Sequence, residues 1–256
     1  MPKSHSPGDT NWDAGVDLFI IKGNCRKIMK HKIIAIIPAR GGSKRLPRKN
    51  VKIFLGKPLI ARTIEQAKKS RYLDRVIVST DDKEIAAVSR KYGAEVIKRP
   101  KKLAGDKARV IDTVFYLLAV LKKEKYRPDI AVLLQTTSPL RNTQDIDRAI
   151  ELFLKNKCEA VISFYESDSL LWSFKMGKKY LEPVLGSRYL KQRSQDLAKV
   201  FVPNGALYVF TPENLRKYKS FYAKKLLPYV MPFQRSMDID YKADLKLAEL
   251  IVKRKI

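Results

Sequence analysis

The chain has 256 residues, 45% of them hydrophobic, enough to bury one large core with room for an appendage. Lys and Arg number 53 against 26 Asp and Glu, a formal net charge of +27, which suits either nucleic acid or an enzyme with anionic substrates. The cations fall on nearly every expected helix rather than on one arm, which argues against nucleic acid as the main partner. No apolar run approaches the roughly 20 residues of a spanning helix. Cys25 and Cys158 lack C-x-x-C spacing, and His5 and His31 both lie near the amino terminus, which disfavours a zinc site, a disulfide framework and a His-centred triad. A cytoplasmic protein without a membrane partner is expected.

Residues 1–30 are set apart. Ser, Pro, Gly, Asp and Asn cluster from Ser4 to Gly15 without periodicity, and Met29 stands just before the first apolar run. They read as an extension, with residues 31–256 as the domain, and a chain starting at Met29 is expected to suffice for folding and activity. Ile33 to Ile37 is a continuous β-branched run, the pattern of a strand buried on both faces. Pro38 stops it, and Gly41 and Gly42 let the chain turn and leave amide groups open to an anion. Arg40, Lys44, Arg45, Arg48 and Lys49 surround the turn, a field that suits a polyphosphate. The alternative is a solvated basic loop. Neither G-x-x-x-x-G-K-[ST] nor G-x-G-x-x-G is present, which argues against a P-loop and a dinucleotide site.

Strands and helices then alternate. A helix is expected from about Leu59 to Ser70, a strand over Arg75 to Val78, a helix from about Asp82 to Lys91, and a strand over Ala94 to Ile97. A helix follows on Val110, Val114, Leu117, Leu118 and Leu121, then an apolar strand over Ile130 to Leu134. Thr143 is the expected cap of a helix bearing Ile146, Ile150 and Phe153, and Ala160 to Phe164 is a strand. Residues 166–202 are irregular and rich in aromatics, and read as an insertion, either a dimerisation arm or an excursion packed on its own subunit. Strands over Leu207 to Phe210 and Tyr229 to Met231 follow, with a short helix opened by Thr211 and Pro212 between them. A final helix carries Leu245, Leu247, Ala248 and Ile251. The fold class is α/β, a Rossmann-like, mostly parallel twisted sheet with helices on both faces. Ligands then bind beyond the carboxyl ends of the strands, where the Arg40 loop, Asp81, Gln135 and Ser138 gather.

Asp238 and Asp240 form the clearest acidic pair. In an extended segment they share a face ~7 Å apart and can converge on a hard cation such as Mg²⁺. The alternative is an acidic turn before a helix.

Ile36-Ile37-Pro38-Ala39-Arg40-Gly41-Gly42-Ser43-Lys44, with Pro47 and Lys49-Asn50, closely resembles the opening motif of the CMP-sialic acid synthetases, cytidylyltransferases that activate acidic sugars. The resemblance runs from about Lys32 to the carboxyl terminus. It implies that Arg40, Gly41, Gly42, Ser43 and Lys49 hold the triphosphate of CTP, with Arg40, Lys49 and Asp240 as the catalytic set. It puts Asn50 and Arg99 at the cytosine and ribose, and Asp238 and Asp240 on Mg²⁺. Gln135 and Ser138, in Leu134-Gln135-Thr136-Thr137-Ser138-Pro139-Leu140-Arg141, and Asn204, in Pro203-Asn204-Gly205-Ala206, fall on the sugar side. Three positions depart from the pattern. Thr136 replaces a frequent proline, Val202 stands where an arginine usually precedes the proline, and a second family arginine aligns near Ser194, one position from Arg193.

The expected reaction is attack by the anomeric hydroxyl of an acidic 2-keto sugar, of the sialic or legionaminic type, on the α-phosphorus of CTP, giving a CMP-sugar and pyrophosphate. A homodimer is implied. The alternatives are a 3-deoxy-manno-octulosonate cytidylyltransferase, which the Asn204-Gly205-Ala206 motif fits less well, and a non-catalytic nucleotide- or RNA-binding module. The module would have no reason to keep Asp238 and Asp240 beside Gln135.

Overall fold

The structure, a computed structural model, describes residues 31–254 except residue 168. The extension expected over residues 1–30 lies outside the described residues. In chain order the elements are β1 (Ile33–Pro38), the short hairpin β2 (Ile53–Phe54) and β3 (Lys57–Pro58), α1 (Leu59–Lys68), β4 (Arg75–Thr80), α2 (Lys83–Lys91) and β5 (Glu95–Lys98). Then follow α3 (Val110–Lys123), β6 (Ile130–Leu134), α4 (Thr143–Lys155), β7 (Ala160–Glu166), β8 (Phe174–Met176) and β9 (Leu181–Pro183). The chain ends with β10 (Phe201–Phe210), α5 (Pro212–Tyr218), β11 (Leu226–Val230) and α6 (Lys242–Arg254).

Seven strands form one sheet in the order β11-β7-β10-β6-β1-β4-β5. β1 pairs in parallel with β4 and β6, and β4 with β5, while β10 runs antiparallel between β6 and β7. The apolar run of β1 is explained by its central place. Ile34 and Ile36 face Val114, Leu117 and Leu121 of α3, whereas Ala35 and Ile37 face Ile60 and Ile64 of α1 and Ala149 of α4. All are fully buried, each larger side chain adding about 1.5–3 kcal/mol of burial. A third cluster joins Leu46 and Phe54, from the segment after β1, to Leu140, Ile239, Leu245 and Ala248. This cluster brings the carboxyl-terminal acidic pair to the basic turn.

Four expectations need correction. Asn142, not Thr143, caps α4: its side chain accepts from the Asp145 N–H, and the Asp145 carboxylate accepts from the Asn142 N–H. Asparagine with an acidic residue three positions on forms a capping box, and the Thr143 hydroxyl instead donates to the Gln66 carbonyl at 3.1 Å. β10 starts at Phe201, six residues early, because Gly205 at φ +74 lets the strand bulge and continue. β11 ends at Val230 rather than Met231. Leu247 on α6 is 51% exposed and is not a core residue.

Of the expected insertion over residues 166–202, Glu166 ends β7 and Phe201 and Val202 open β10, and the described residues between those strands form the β8–β9 hairpin and short 3₁₀ turns. Phe174, Met176, Tyr180, Leu181, Val184 and Leu185 of this insertion are exposed.

Candidate active site

The carboxyl ends of β1, β5 and β6 open into a cavity of about 570 Å³. Arg40, Ser43, Lys44, Arg45, Lys49, Arg99, Gln135, Asp238 and Asp240 all line it. A second cavity of about 710 Å³ lies beyond Gln135 and Asp238, which line both.

The acidic pair and the basic turn meet directly. The Lys49 ammonium donates to the Asp240 carboxylate and to the Ile239 carbonyl, each at 2.9 Å, and Arg45 pairs with Asp240 at 2.7 Å. Two of the three Lys49 donors are thereby used, leaving one toward the cavity. Asp240 and Tyr241 donate their N–H groups to Asp244, so the segment before α6 is held by its own cap. Asp238 accepts from the Thr137 hydroxyl, and burial pushes its carboxyl above the usual range against the pull of that bond. Among the described residues there is no group of three or more His, Cys, Asp or Glu side chains suited to a metal. Two carboxylates facing one cavity still suit Mg²⁺, which takes one or two protein carboxylates and completes its shell with water and substrate phosphate.

Arg40 donates to the Gly105 carbonyl at 3.0 Å and lies 3.5 Å from Asp106, which Lys44 pairs at 2.6 Å. The glycines differ from expectation. The Gly41 N–H donates to Asp81 at 3.1 Å, so that amide is not open to an anion, and Gly41 and Gly42 border a smaller hollow outside the main cavity. Gly41 is glycine for lack of space: a Cβ there would sit 2.9 Å from an Asp82 oxygen at the start of α2. The left-handed residue of this loop is Arg48, at φ 58, paired with Asp82 and Glu84.

Asn50 and Arg99 line the main cavity although each is only 5% exposed. Asn50 donates to the Arg40 carbonyl at 2.9 Å and accepts from the Thr136 hydroxyl. Much of its amide is therefore spent on holding the β1 turn against the β6 loop, and Thr136, at the departure from proline, makes that link. Arg99 donates to the Ser79 carbonyl at 2.8 Å, and its Nε has no protein partner. Burial lowers its pKa to about 10 against the attraction of Asp81, which leaves it charged at neutral pH.

On the far side, Gln135 reaches both cavities. Ser138 does not: it is buried, its hydroxyl has no protein partner, and it lines neither cavity. Asn204 touches the second cavity but accepts from the Ser163 hydroxyl at 2.5 Å and the Ala206 N–H at 3.1 Å, and donates to Ser236 at 2.9 Å. Val202 is on that wall, while Arg193 pairs with Asp196 at 2.8 Å and lines neither cavity. The Ser194 side chain lies outside the described residues.

Sequence reasoning missed Arg141. It is fully buried and donates to the Gln135 carbonyl at 3.1 Å, the Ala206 carbonyl at 2.6 Å and the Gln66 side chain at 3.1 Å. It ties the β6 loop to β10 and α1. Its place at the end of the Gln135 motif was the available signal. The aromatic walls Tyr165, Tyr208 and Phe233 were missed too, because they come from separate strands and a loop.

A mostly parallel sheet with a cationic cavity at its carboxyl edge and paired carboxylates opposite defines an enzyme of the nucleotidyltransferase type. Residues 34–246 match the cytidylyltransferase family. The chain is 34% identical over 224 residues to a pseudaminic acid cytidylyltransferase of Campylobacter jejuni, covering 87% of this chain and 97% of that one. It is 36% identical over 231 residues to a CMP-N,N'-diacetyllegionaminic acid synthase of Legionella pneumophila, at the same coverage of 87% and 97%. A solved CMP:2-keto-3-deoxy-manno-octonic acid synthetase shares the fold at a TM-score of 0.66 and 18% identity, covering 88% of this chain and 100% of that one. The chain belongs to the cytidylyltransferase family.

Proposed function

We propose that this enzyme transfers CMP from CTP to the anomeric hydroxyl of an acidic nine-carbon 2-keto sugar and releases pyrophosphate. The observation that carries the reading is the seam. One cationic cavity and one aromatic cavity share Gln135 and Asp238, so a triphosphate in the first and a sugar in the second would meet there.

Arg40, Ser43 and Lys49 hold the triphosphate, and the free Lys49 donor offsets charge that grows on the phosphoryl oxygens. Gln135 orients the sugar at the seam, and Arg99 with the Asn50-held turn shapes the nucleoside side. Asp238 and Asp240 are the residues that would hold Mg²⁺. When bound, that ion supplies Lewis acidity toward phosphate oxygens and lowers the pKa of the attacking hydroxyl. Catalysis is otherwise positioning and charge neutralisation, since phosphoryl transfer asks for little covalent chemistry from the protein.

The test is pyrophosphate release with each nucleoside triphosphate and a panel of acidic sugars. CTP is expected to be turned over at least about a hundredfold faster than UTP or ATP with the same sugar, because a site that hydrogen-bonds one base rejects another that leaves its polar groups unpaired. Equal rates with UTP would remove the base-site assignment.

The enzyme works as a homodimer through residues 166–202. The exposed Phe174, Met176, Tyr180 and Leu181 of the β8–β9 hairpin support this reading, since such apolar clusters are usually covered by a partner. Sedimentation is expected to give twice the chain mass, with Met176→Glu and Leu181→Glu together shifting it to monomer. A wild-type monomer at micromolar concentration would sink the dimer. Among the described residues no helix is long and apolar enough to cross a membrane.

A further inference from the structure

We infer that Thr137 is a positioning residue for the reaction: its hydroxyl aims the Asp238 carboxylate, and its carbonyl fixes the acidic segment against the Gln135 loop. The inference rests on the reading of Asp238 and Asp240 as the pair that would hold Mg²⁺.

Thr137 lies in the loop beyond β6 and lines the nucleotide cavity together with Gln135, Asp238 and Asp240. Its carbonyl accepts from the Ile239 N–H at 2.7 Å. Ile239 stands between the two aspartates and is fully buried, so this backbone bond sets how far both carboxylates reach into the cavity. The rest of the segment is tied down independently. Arg235 donates to Asp145 at 2.7 Å, Asn204 donates to Ser236 at 2.9 Å, and the Asp240 N–H donates to Asp244 at 2.8 Å.

The Thr137 hydroxyl has one hydrogen and two acceptors within reach. One is the Gln135 side-chain oxygen at 3.5 Å, the outer limit of a hydrogen bond, and the other is Asp238. These are the two residues that the cavities share. A carboxylate is the stronger acceptor, so the hydrogen goes to Asp238 and the Gln135 oxygen stays free for the sugar. Asp240 is already aimed by Lys49 and Arg45. For Asp238 the Thr137 hydroxyl does that work. With one oxygen tied, the other keeps its direction; untied, the carboxylate turns through a broad torsional well and meets a cation less often in the right orientation.

The experiment compares Thr137→Val, which keeps the shape and the backbone carbonyl but removes the hydroxyl, with Thr137→Ser, which keeps the hydroxyl. Turnover is measured with CTP and the acidic sugar of the panel that the wild type converts fastest. In Thr137→Val it is expected to fall about 10–100-fold, with the KM for that sugar within about threefold of wild type. Separately, and without sugar, calorimetry gives the affinity for CTP with and without Mg²⁺. The factor by which Mg²⁺ tightens CTP binding is expected to shrink about tenfold in Thr137→Val. Affinity without Mg²⁺ should stay within about twofold, because Arg40, Ser43 and Lys49 are untouched. Thr137→Ser is expected to restore both quantities. Wild-type turnover and Mg²⁺ tightening in Thr137→Val would overturn the inference, and so would a Thr137→Ser variant that falls as far as Thr137→Val. A wild type whose CTP binding and turnover ignore Mg²⁺ would overturn the reading of the acidic pair and the inference with it, a result distinct from a Mg²⁺ effect that survives loss of the hydroxyl.

Discussion

Asp238→Asn and Asp240→Asn are each expected to lower turnover by roughly a thousandfold, about 4 kcal/mol of barrier, without unfolding the protein. Both carboxylates line the nucleotide cavity, and asparagine keeps their size while removing the charge a hard dication requires. The fold has little stake in either charge. Ile239 between them supplies the buried anchor, and Asp244 holds the chain before α6. The two variants should differ in one respect. Asp238→Asn can retain a hydrogen bond with Thr137, whereas Asp240→Asn removes the shared partner of Lys49 and Arg45 and leaves both cations freer to hold phosphate. CTP is therefore expected to bind either variant, and Asp240→Asn at least as tightly as the wild type. The measurement is turnover across a Mg²⁺ titration, with circular dichroism as the folding control. Wild-type rates in both folded variants at every Mg²⁺ level would remove the metal role from the pair.

Replacing Arg141 is expected to have the largest effect on stability. Its guanidinium is fully buried, and burial lowers its pKa to about 10, so it is a charge held at a cost by three acceptors on three segments. Arg141→Met fills much of the volume but leaves the Gln135 and Ala206 carbonyls and the Gln66 side chain without that donor. Unpaired buried acceptors cost about 1–3 kcal/mol each, partly recovered because the desolvated charge is gone, and about 3 kcal/mol is a reasonable net loss. For a domain of this size the melting temperature should then fall by roughly 6–12 °C. Arg141→Lys should fall between, since one ammonium cannot span the fork. Because the Gln135 carbonyl is among the released groups, the KM for sugar should rise in whatever fraction stays folded. An unchanged melting temperature in Arg141→Met would show that the network can be relaxed without loss.

Much of the architecture was legible before any coordinates. The β-branched run of β1 announced a strand buried on both faces, because only a central parallel strand has no wet side to mark with polar residues. Alternation of such runs with helical periodicity implied the doubly wound sheet, and that topology put the Arg40 loop, Asp81, Gln135 and Ser138 at one edge, of which the Arg40 loop and Gln135 line the cavity. The motif around Arg40 carried the family, which the match over residues 34–246 bears out.

Tertiary contact decided which polar atoms of those residues are already bonded within the protein. Asn50, Asn204 and Ser138 look alike in sequence as polar residues in turns, yet the structure spends Asn50 on Arg40 and Thr136, spends Asn204 on Ser163, Ala206 and Ser236, and buries Ser138. An amide can serve a ligand or its own backbone with the same atoms, and only its neighbours in space determine which. Gly41 is small because α2 starts against it, a constraint set 40 residues away by Asp81 and Asp82. The aromatic cavity was invisible for the same reason, since Tyr165, Tyr208 and Phe233 become one wall only after β7, β10 and the segment beyond β11 come together. Periodicity and local turn chemistry are written along the chain, so the sequence by itself determined the elements and the family. The partners of each polar atom are written across it, and the folded structure alone assigned them.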